Sequence, residues 1–214
     1  MARCTKEEAL ETRSRILNAA EEVFYTRGLA QSSLADVAVA AEVTRGAIYW
    51  HFKNKSDLFD AMCERVRLPM ESLMTVPDEK FVGDPLGHLR NVWGHLLKDA
   101  ATNPRSHKVL DIMFLKCELV DRSDPIWMRQ HECYLKGLAN MERILQEAIE
   151  LGHLPADLDT RLAALTLHGH VIGLLLNWLF SPTTFDLAAV ADPLIDACLD
   201  SLRYAPSLRL KKAD

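Results

Sequence analysis

Membrane-spanning length is the first thing missing from this 214-residue chain, because no uninterrupted apolar run approaches the roughly 20 residues that a spanning helix needs. The segment Met1-Ala2-Arg3-Cys4-Thr5-Lys6-Glu7-Glu8 is charged, with no apolar stretch behind it, so no export signal is read there. The expectation is a cytoplasmic protein with no membrane partner. Cysteine is scarce. The five residues Cys4, Cys63, Cys117, Cys133 and Cys198 are odd in number and widely spaced, which excludes a disulfide framework and a zinc ribbon. They read as reduced thiols, and at Cys117 and Cys133 a buried small hydrophobe is preferred over a redox sensor. Glycine-rich phosphate loops, a His-Glu-x-x-His pair and a strained nucleophile turn are all absent, so neither an enzyme nor a cofactor is expected. Of the eight histidines, His168 and His170 tempt a metal reading, but two residues apart on a helix they point to different sides. No metal site is assigned.

Excess positive charge is missing too. The net charge is −5, and residues 1–60 carry eight Lys/Arg against nine Asp/Glu, a local balance of −1. That excludes a broad basic surface of the kind nonspecific DNA binding requires. It allows a focused one, with Arg3, Lys6, Arg13, Arg45, Lys53 and Lys55 sharing a face while the acids sit behind. Alternating strand patterns, internal repeats and low-complexity tracts are also lacking, which leaves an all-α chain.

What is present is concentrated in Thr44-Arg45-Gly46-Ala47-Ile48-Tyr49-Trp50-His51-Phe52-Lys53-Asn54-Lys55. Ahead of it, residues 33–41 read as a short helix capped by Ser33 or Ser32, followed by a tight connection at Glu42-Val43. Two short helices so spaced make a helix-turn-helix. Ile48 can face Val37 and Ala41, which leaves Arg45, Gly46, Ala47, Tyr49 and His51 on the side a major groove would meet. Arg45 can fork onto a guanine edge or a phosphate, and Ala47 can touch a thymine methyl. Gly46 lets the backbone approach closely. Tyr49, His51 and Lys55 are donors suited to phosphate oxygens, which fix position without reading sequence. Ser33 and Thr44 complete this set, and Arg3 and Lys6 extend it as a basic arm, the alternative for the arm being a frayed terminus. Trp50 and Phe52 are assigned to packing.

The run from Val43 to Phe59, with Thr44-Arg45-Gly46 and Ile48-Tyr49-Trp50-His51-Phe52-Lys53-Asn54-Lys55-Ser56-Asp57-Leu58-Phe59, resembles the DNA-binding signature of the TetR family of transcriptional repressors. Thr5-Lys6-Glu7-Glu8-Ala9, Thr12-Arg13, Lys116-Cys117-Glu118, Leu154-Pro155-Ala156-Asp157-Leu158 and Asn177-Trp178-Leu179-Phe180 are similar to its AcrR/TtgR branch, which represses multidrug efflux-pump operons. The resemblance implies an N-terminal three-helix helix-turn-helix domain, residues 1–54, and a C-terminal helical ligand-binding and dimerisation domain, residues 55–214. It also implies a homodimer reading a palindromic operator in double-stranded DNA and released by hydrophobic or aromatic inducers. One residue departs from the pattern. The family favours Gly where Glu42 stands, in a turn whose torsions can be left-handed, so the turn is either strained there or differently shaped.

Taken in order, the first helix is expected from Thr5 or Lys6 to Thr26, ended by Gly28. A linking helix follows from Lys55 to Ser72, kinked or ended by Pro69. Residues 75–85 form a loop. Helices are then predicted over 85–102, 106–120, 125–151, 159–180 and 186–204. Trp93, Phe114, Trp127, Tyr134, Met113 and Met141 supply aromatic and thioether surface beyond what a core requires, and His168 and Asn177 set polar groups on an otherwise apolar helix. Adaptable walls with few polar anchors suit a cavity for varied apolar ligands. With the family's pocket placed among these helices, Leu89, Trp93, Leu96 and Leu110 are expected to line it. Phe114, Tyr134, Met141, His168 and Ile172 complete the expected lining. The stripe Leu187, Val190, Ala191, Leu194, Ile195, Cys198, Leu199 and Leu202, with the flat pair Gly169 and Gly173, matches a helical dimer face. Two alternatives stand beside this reading: a DNA-binding regulator without a small-molecule inducer, and one that senses redox state through cysteine.

Overall fold

The computed structural model describes residues 6–75, 78–119 and 121–210, and among them the regular structure is helical. The helices are α1 (Lys6–Arg27), α2 (Leu34–Ala40), α3 (Arg45–His51), α4 (Lys55–Thr75), α5 (Pro85–Thr102), α6 (Pro104–Leu115), α7 (Pro125–Glu150), α8 (Thr160–Phe180) and α9 (Leu187–Tyr204). Short 3-10 turns occupy Glu79–Phe81 and Pro206–Leu208, and Leu158 and Arg209 form an isolated antiparallel bridge. The all-α expectation holds.

The caps explain the boundaries. Ser33 and Asp36 form a reciprocal capping box at the start of α2, and the Asp84, Asp159 and Asp186 carboxylates accept the N–H groups of Gly87, Leu162 and Ala189 at the starts of α5, α8 and α9. Gly28, at φ 78°, closes α1 by donating its N–H to the Phe24 carbonyl at 2.9 Å. Of the two outcomes expected at Pro69, a kink or an end, the end is not found, and the bounds of α6 need correction. Pro69 does not end α4, which continues to Thr75; a proline removes one N–H, and the turns on both sides supply the rest of the ladder. Helix α6 starts earlier and stops earlier than predicted. Asn103 Oδ1 accepts the Arg105 N–H at 3.0 Å at its start, and at its end the Lys116 carbonyl is taken by the Leu29 N–H at 3.0 Å.

The chain divides into two compact units. The first comprises residues 1–67 and 108–130, with Ile16, Phe24, Val37, Ile48, Phe52, Leu58, Phe59 and Met62 in its core. The second comprises residues 68–107 and 131–214, and there α5, α8 and α9 pack around Leu89, Leu97, Leu167, Val171, Leu175 and Ile195. Arg90 reinforces the α5–α9 contact, its Nε donating to Asp196 Oδ1 at 2.5 Å, and Lys98 Nζ reaches Asp192 Oδ2 at 2.6 Å.

Helix α8 is the one helix among the described residues that bears on the membrane reading. By length and composition it is apolar enough to cross a membrane, and 39% of its most apolar window is buried in this chain. Arg161, His168, His170 and Asn177 interrupt it. Its buried residues, among them Ala163, Leu167, Val171, Leu175 and Leu179, face the interior of the second unit, as in an apolar core helix.

Candidate nucleic-acid interface and aromatic cluster

The turn between α2 and α3 is built from backbone hydrogen bonds. The Glu42 N–H donates to the Val39 carbonyl at 3.1 Å and the Val43 N–H to the Ala38 carbonyl at 3.0 Å, the paired bonds of a Schellman motif. That motif demands a left-handed residue after the helix, and Glu42 takes the role at φ 53°. The chain then turns straight into α3, where Thr44 Oγ1 caps the helix by accepting the Ala47 N–H at 3.1 Å.

Helix α3 has one buried residue, Ile48, which shares the interior with Val37 and Ala41 as the spacing predicts. Arg45, Gly46 and Tyr49 are exposed and Ala47 is half-buried. The Arg45 guanidinium stands 6.0 Å from the Tyr49 ring centroid, so the two present one composite donor surface. A Cβ added at Gly46 would meet only the Thr44 hydroxyl oxygen, at 3.9 Å. The fold itself therefore does not require glycine at this position. His51 is half-buried, and burial, followed by the nearby Arg13 charge, holds its pKa below the ordinary value. At neutral pH the ring is uncharged and offers a hydrogen bond rather than a cation.

Several side chains differ from the sequence reading. Phe52 is buried as expected, but Trp50 is 71% exposed, because at the end of a seven-residue helix it falls on the side opposite Ile48. Lys55 donates to the carbonyls of Leu29 at 2.8 Å, Ser32 at 3.0 Å and Ala30 at 3.4 Å. Its ammonium thus fastens the α1–α2 loop and is not among the outward donors in this structure. Ser33 has its hydroxyl engaged with Asp36, whose carboxyl is held below its usual pKa by those hydrogen bonds. Lys6 opens α1 and is exposed, whereas Arg3 lies outside the described residues.

Of the next two features of this unit, sequence reasoning placed Arg13 on the basic face and missed the Arg65 clamp. Arg13 sits with its guanidinium 5.1 Å from the Phe52 ring, beside the outward face of α3. Arg65 clamps α4 to α1, donating to Glu21 Oε1 at 2.5 Å, Asn18 Oδ1 at 2.7 Å and Ser14 Oγ at 3.1 Å. The signal for the clamp is Glu21 itself, an acid on the buried stripe of Leu17 and Phe24.

In the second unit the structure brings together three of the expected ligand-lining residues. The His168 ring lies edge-on to Tyr134 at 5.2 Å and to Trp93 at 6.4 Å between centroids. Burial lowers the His168 pKa, so this ring too is neutral. Leu89, Leu96 and Met141 are buried in the same unit and Ile172 is half-buried. Leu110, buried, and Phe114, exposed, belong to the first unit. At Cys117 the redox alternative is disfavoured by chemistry: burial, then the nearby Asp124 carboxylate, push its thiol up to about 11. A thiol so poorly ionised is a slow nucleophile toward oxidants.

Known proteins share both halves. Residues 16–62 match the family described as bacterial regulatory proteins, tetR family, and residues 84–204 match the MAATS-type transcriptional repressor C-terminal region. The regulator AcrR of Shigella flexneri is 42% identical over 209 residues, covering 98% of this chain and 97% of the relative. The crystal structure of MexZ, a repressor responsible for antibiotic resistance in Pseudomonas aeruginosa, superposes with a TM-score of 0.79 at 35% identity, covering 94% of this chain and 99% of that one. SmeT, the repressor of the Stenotrophomonas maltophilia efflux pump SmeDEF, in complex with triclosan gives a TM-score of 0.80 at 32% identity over 92% of this chain and 93% of that one. With the helix-turn-helix, the C-terminal region and near full-length likeness in agreement, this chain belongs to the TetR family of helix-turn-helix transcriptional repressors.

Proposed function

We propose that this chain is a homodimeric repressor that binds a palindromic operator, controls a multidrug efflux-pump operon, and leaves the DNA when it binds a hydrophobic or aromatic small molecule. The observation that carries the reading is the outward face of α3, where Arg45, Gly46 and Tyr49 are exposed around a helix anchored by Ile48. A glycine that the fold does not require, next to a groove-sized donor pair, suits close approach of a nucleic acid. The relatives support the target, since MexZ, SmeT and AcrR are repressors or regulators and SmeT is a repressor of an efflux pump. The SmeT–triclosan complex supports the class of inducer. Such a protein works in the cytoplasm, where its operator is.

Dimerisation is supported by α8, whose Leu162, Leu165 and Phe180 are exposed, Phe180 at 83%. Two-fold operators require two reading heads at fixed separation. The chain passes from the first unit to the second within α4, so a ligand that prefers one disposition of α4 shifts the population of heads spaced for the operator. The domain assignment is proposed accordingly: residues 1–54 read DNA, and residues 55–214 bind ligand and dimerise, with 55–72 linking the two.

The test is an operator-shift titration with the DNA upstream of the neighbouring genes, at fixed salt, with mass measured in solution. The expected result is one palindrome bound per dimer and release by triclosan or other hydrophobic drugs. A chain that binds the palindrome but is released by no member of such a panel would remove the inducer from this reading and leave the DNA binding.

A further inference from the structure

The aromatic cluster of the second unit holds a donor without an acceptor. Trp93 is 7% exposed, and its Nε1 atom is buried without a hydrogen-bond partner among the described residues. An indole nitrogen can only donate, and burying a donor unsatisfied is unfavourable. Its helical neighbours Leu89, Val92, Leu96 and Leu97 are all buried and apolar, so none of their side chains can accept. The cluster also has a graded exposure. Trp93 is interior, His168 is half-buried, and Tyr134 is 39% exposed, so the rings lead from the core toward solvent.

We infer that the Trp93 Nε1–H is the donor that fixes an uncharged aromatic ligand carrying a hydrogen-bond acceptor on its rim, such as an aryl ketone, with the His168 and Tyr134 rings as its walls. The inference rests on the small-molecule reading above and specifies its chemistry. Edge-on rings accept flat aromatic guests in offset or T-shaped contact. The neutral imidazole supplies no counter-charge, which favours an uncharged ligand over an anion. A ligand oxygen satisfying the buried N–H gains a bond that an apolar isostere cannot make, and specificity follows from that difference.

The experiment compares 2-acetylnaphthalene, which accepts, with 2-isopropylnaphthalene, which does not, by titration against the full-length chain and its Trp93→Phe variant. Phenylalanine keeps a ring and removes the N–H. Affinity for the ketone is expected to fall about five-fold in Trp93→Phe, the size of one hydrogen bond, while affinity for the hydrocarbon changes less than about two-fold. Operator binding without ligand should be unchanged. In the unsubstituted chain, one solvent-protected indole N–H resonance of the four tryptophans should move downfield with the ketone only, a readout independent of how the variant folds. Equal losses for both probes, or no indole shift with the bound ketone, would overturn the donor assignment while the small-molecule reading stands. Failure of the unsubstituted chain to bind either probe would overturn both.

Discussion

Glu42 shows how far a single residue can be read from sequence. A turn that reverses the chain in two residues after a helix needs left-handed torsions, that demand is local, and φ 53° at Glu42 meets it with a side chain poorly suited to it. Glu42→Gly should therefore raise stability by about 1 kcal/mol, read as a higher melting temperature. A lower melting temperature would mean that glycine's added unfolded-state freedom outweighs the relieved strain. Trp50 and Lys55 were not legible in the same way. Whether an aromatic at the end of a short helix is covered, and whether an ammonium meets phosphate or the Leu29 and Ser32 carbonyls, depends on segments remote in sequence. Arg45 was legible because exposure followed from the helical period once Ile48 was placed inside. Arg45→Ala should cost about 1–3 kcal/mol of operator affinity and relax the preference at one base position. A loss of equal size for every operator variant would assign Arg45 to the phosphates instead.

At the scale of elements, the helices were largely legible because caps and periodicity are local, as the aspartates heading α5, α8 and α9 illustrate. The end of α6 was not, since the contact that stops it, Lys116 with Tyr25 and Leu29, joins residues about ninety apart. The Arg65 clamp has the same character. With side chains 18% and 7% exposed, Arg65 and Glu21 form an ion pair within the first unit, and it fixes α4 against α1. Removing the arginine alone takes the cation from a buried carboxylate. Arg65→Met should lower stability by about 3 kcal/mol, whereas the double variant Arg65→Met with Glu21→Leu should recover most of the loss. Chemical denaturation of the two proteins measures both. If the double variant is as unstable as the single, the clamp contributes through the Ser14 and Asn18 bonds rather than through charge.

The molecule as a whole is where sequence is least explicit. Its compact units are discontinuous, and their limits fall inside α4, α6 and α7, where no glycine-rich or proline-rich linker betrays them. The proposed dimer face, by contrast, left a readable trace in Gly169 and Gly173. A Cβ added at either position meets nothing within 4 Å in this chain. Glycine inside a helix weakens it by roughly 1 kcal/mol relative to alanine, so an isolated chain gains nothing from keeping glycine there. A second helix approaching closely would supply a reason, and the exposed Leu162, Leu165 and Phe180 on the same helix would then be covered together. Gly169→Leu separates the two cases. Folding within one chain has room for the new side chain, and helix propensity favours it, so the variant should remain folded and helical. If the face is the interface, leucine holds the partner helix off, the chain becomes monomeric in solution, and operator affinity falls at least about a hundred-fold as the second reading head is lost. A variant that stays dimeric with raised thermal stability and unchanged operator binding would show that α8 meets no partner at Gly169, and the palindrome would have to be read through another pairing of chains.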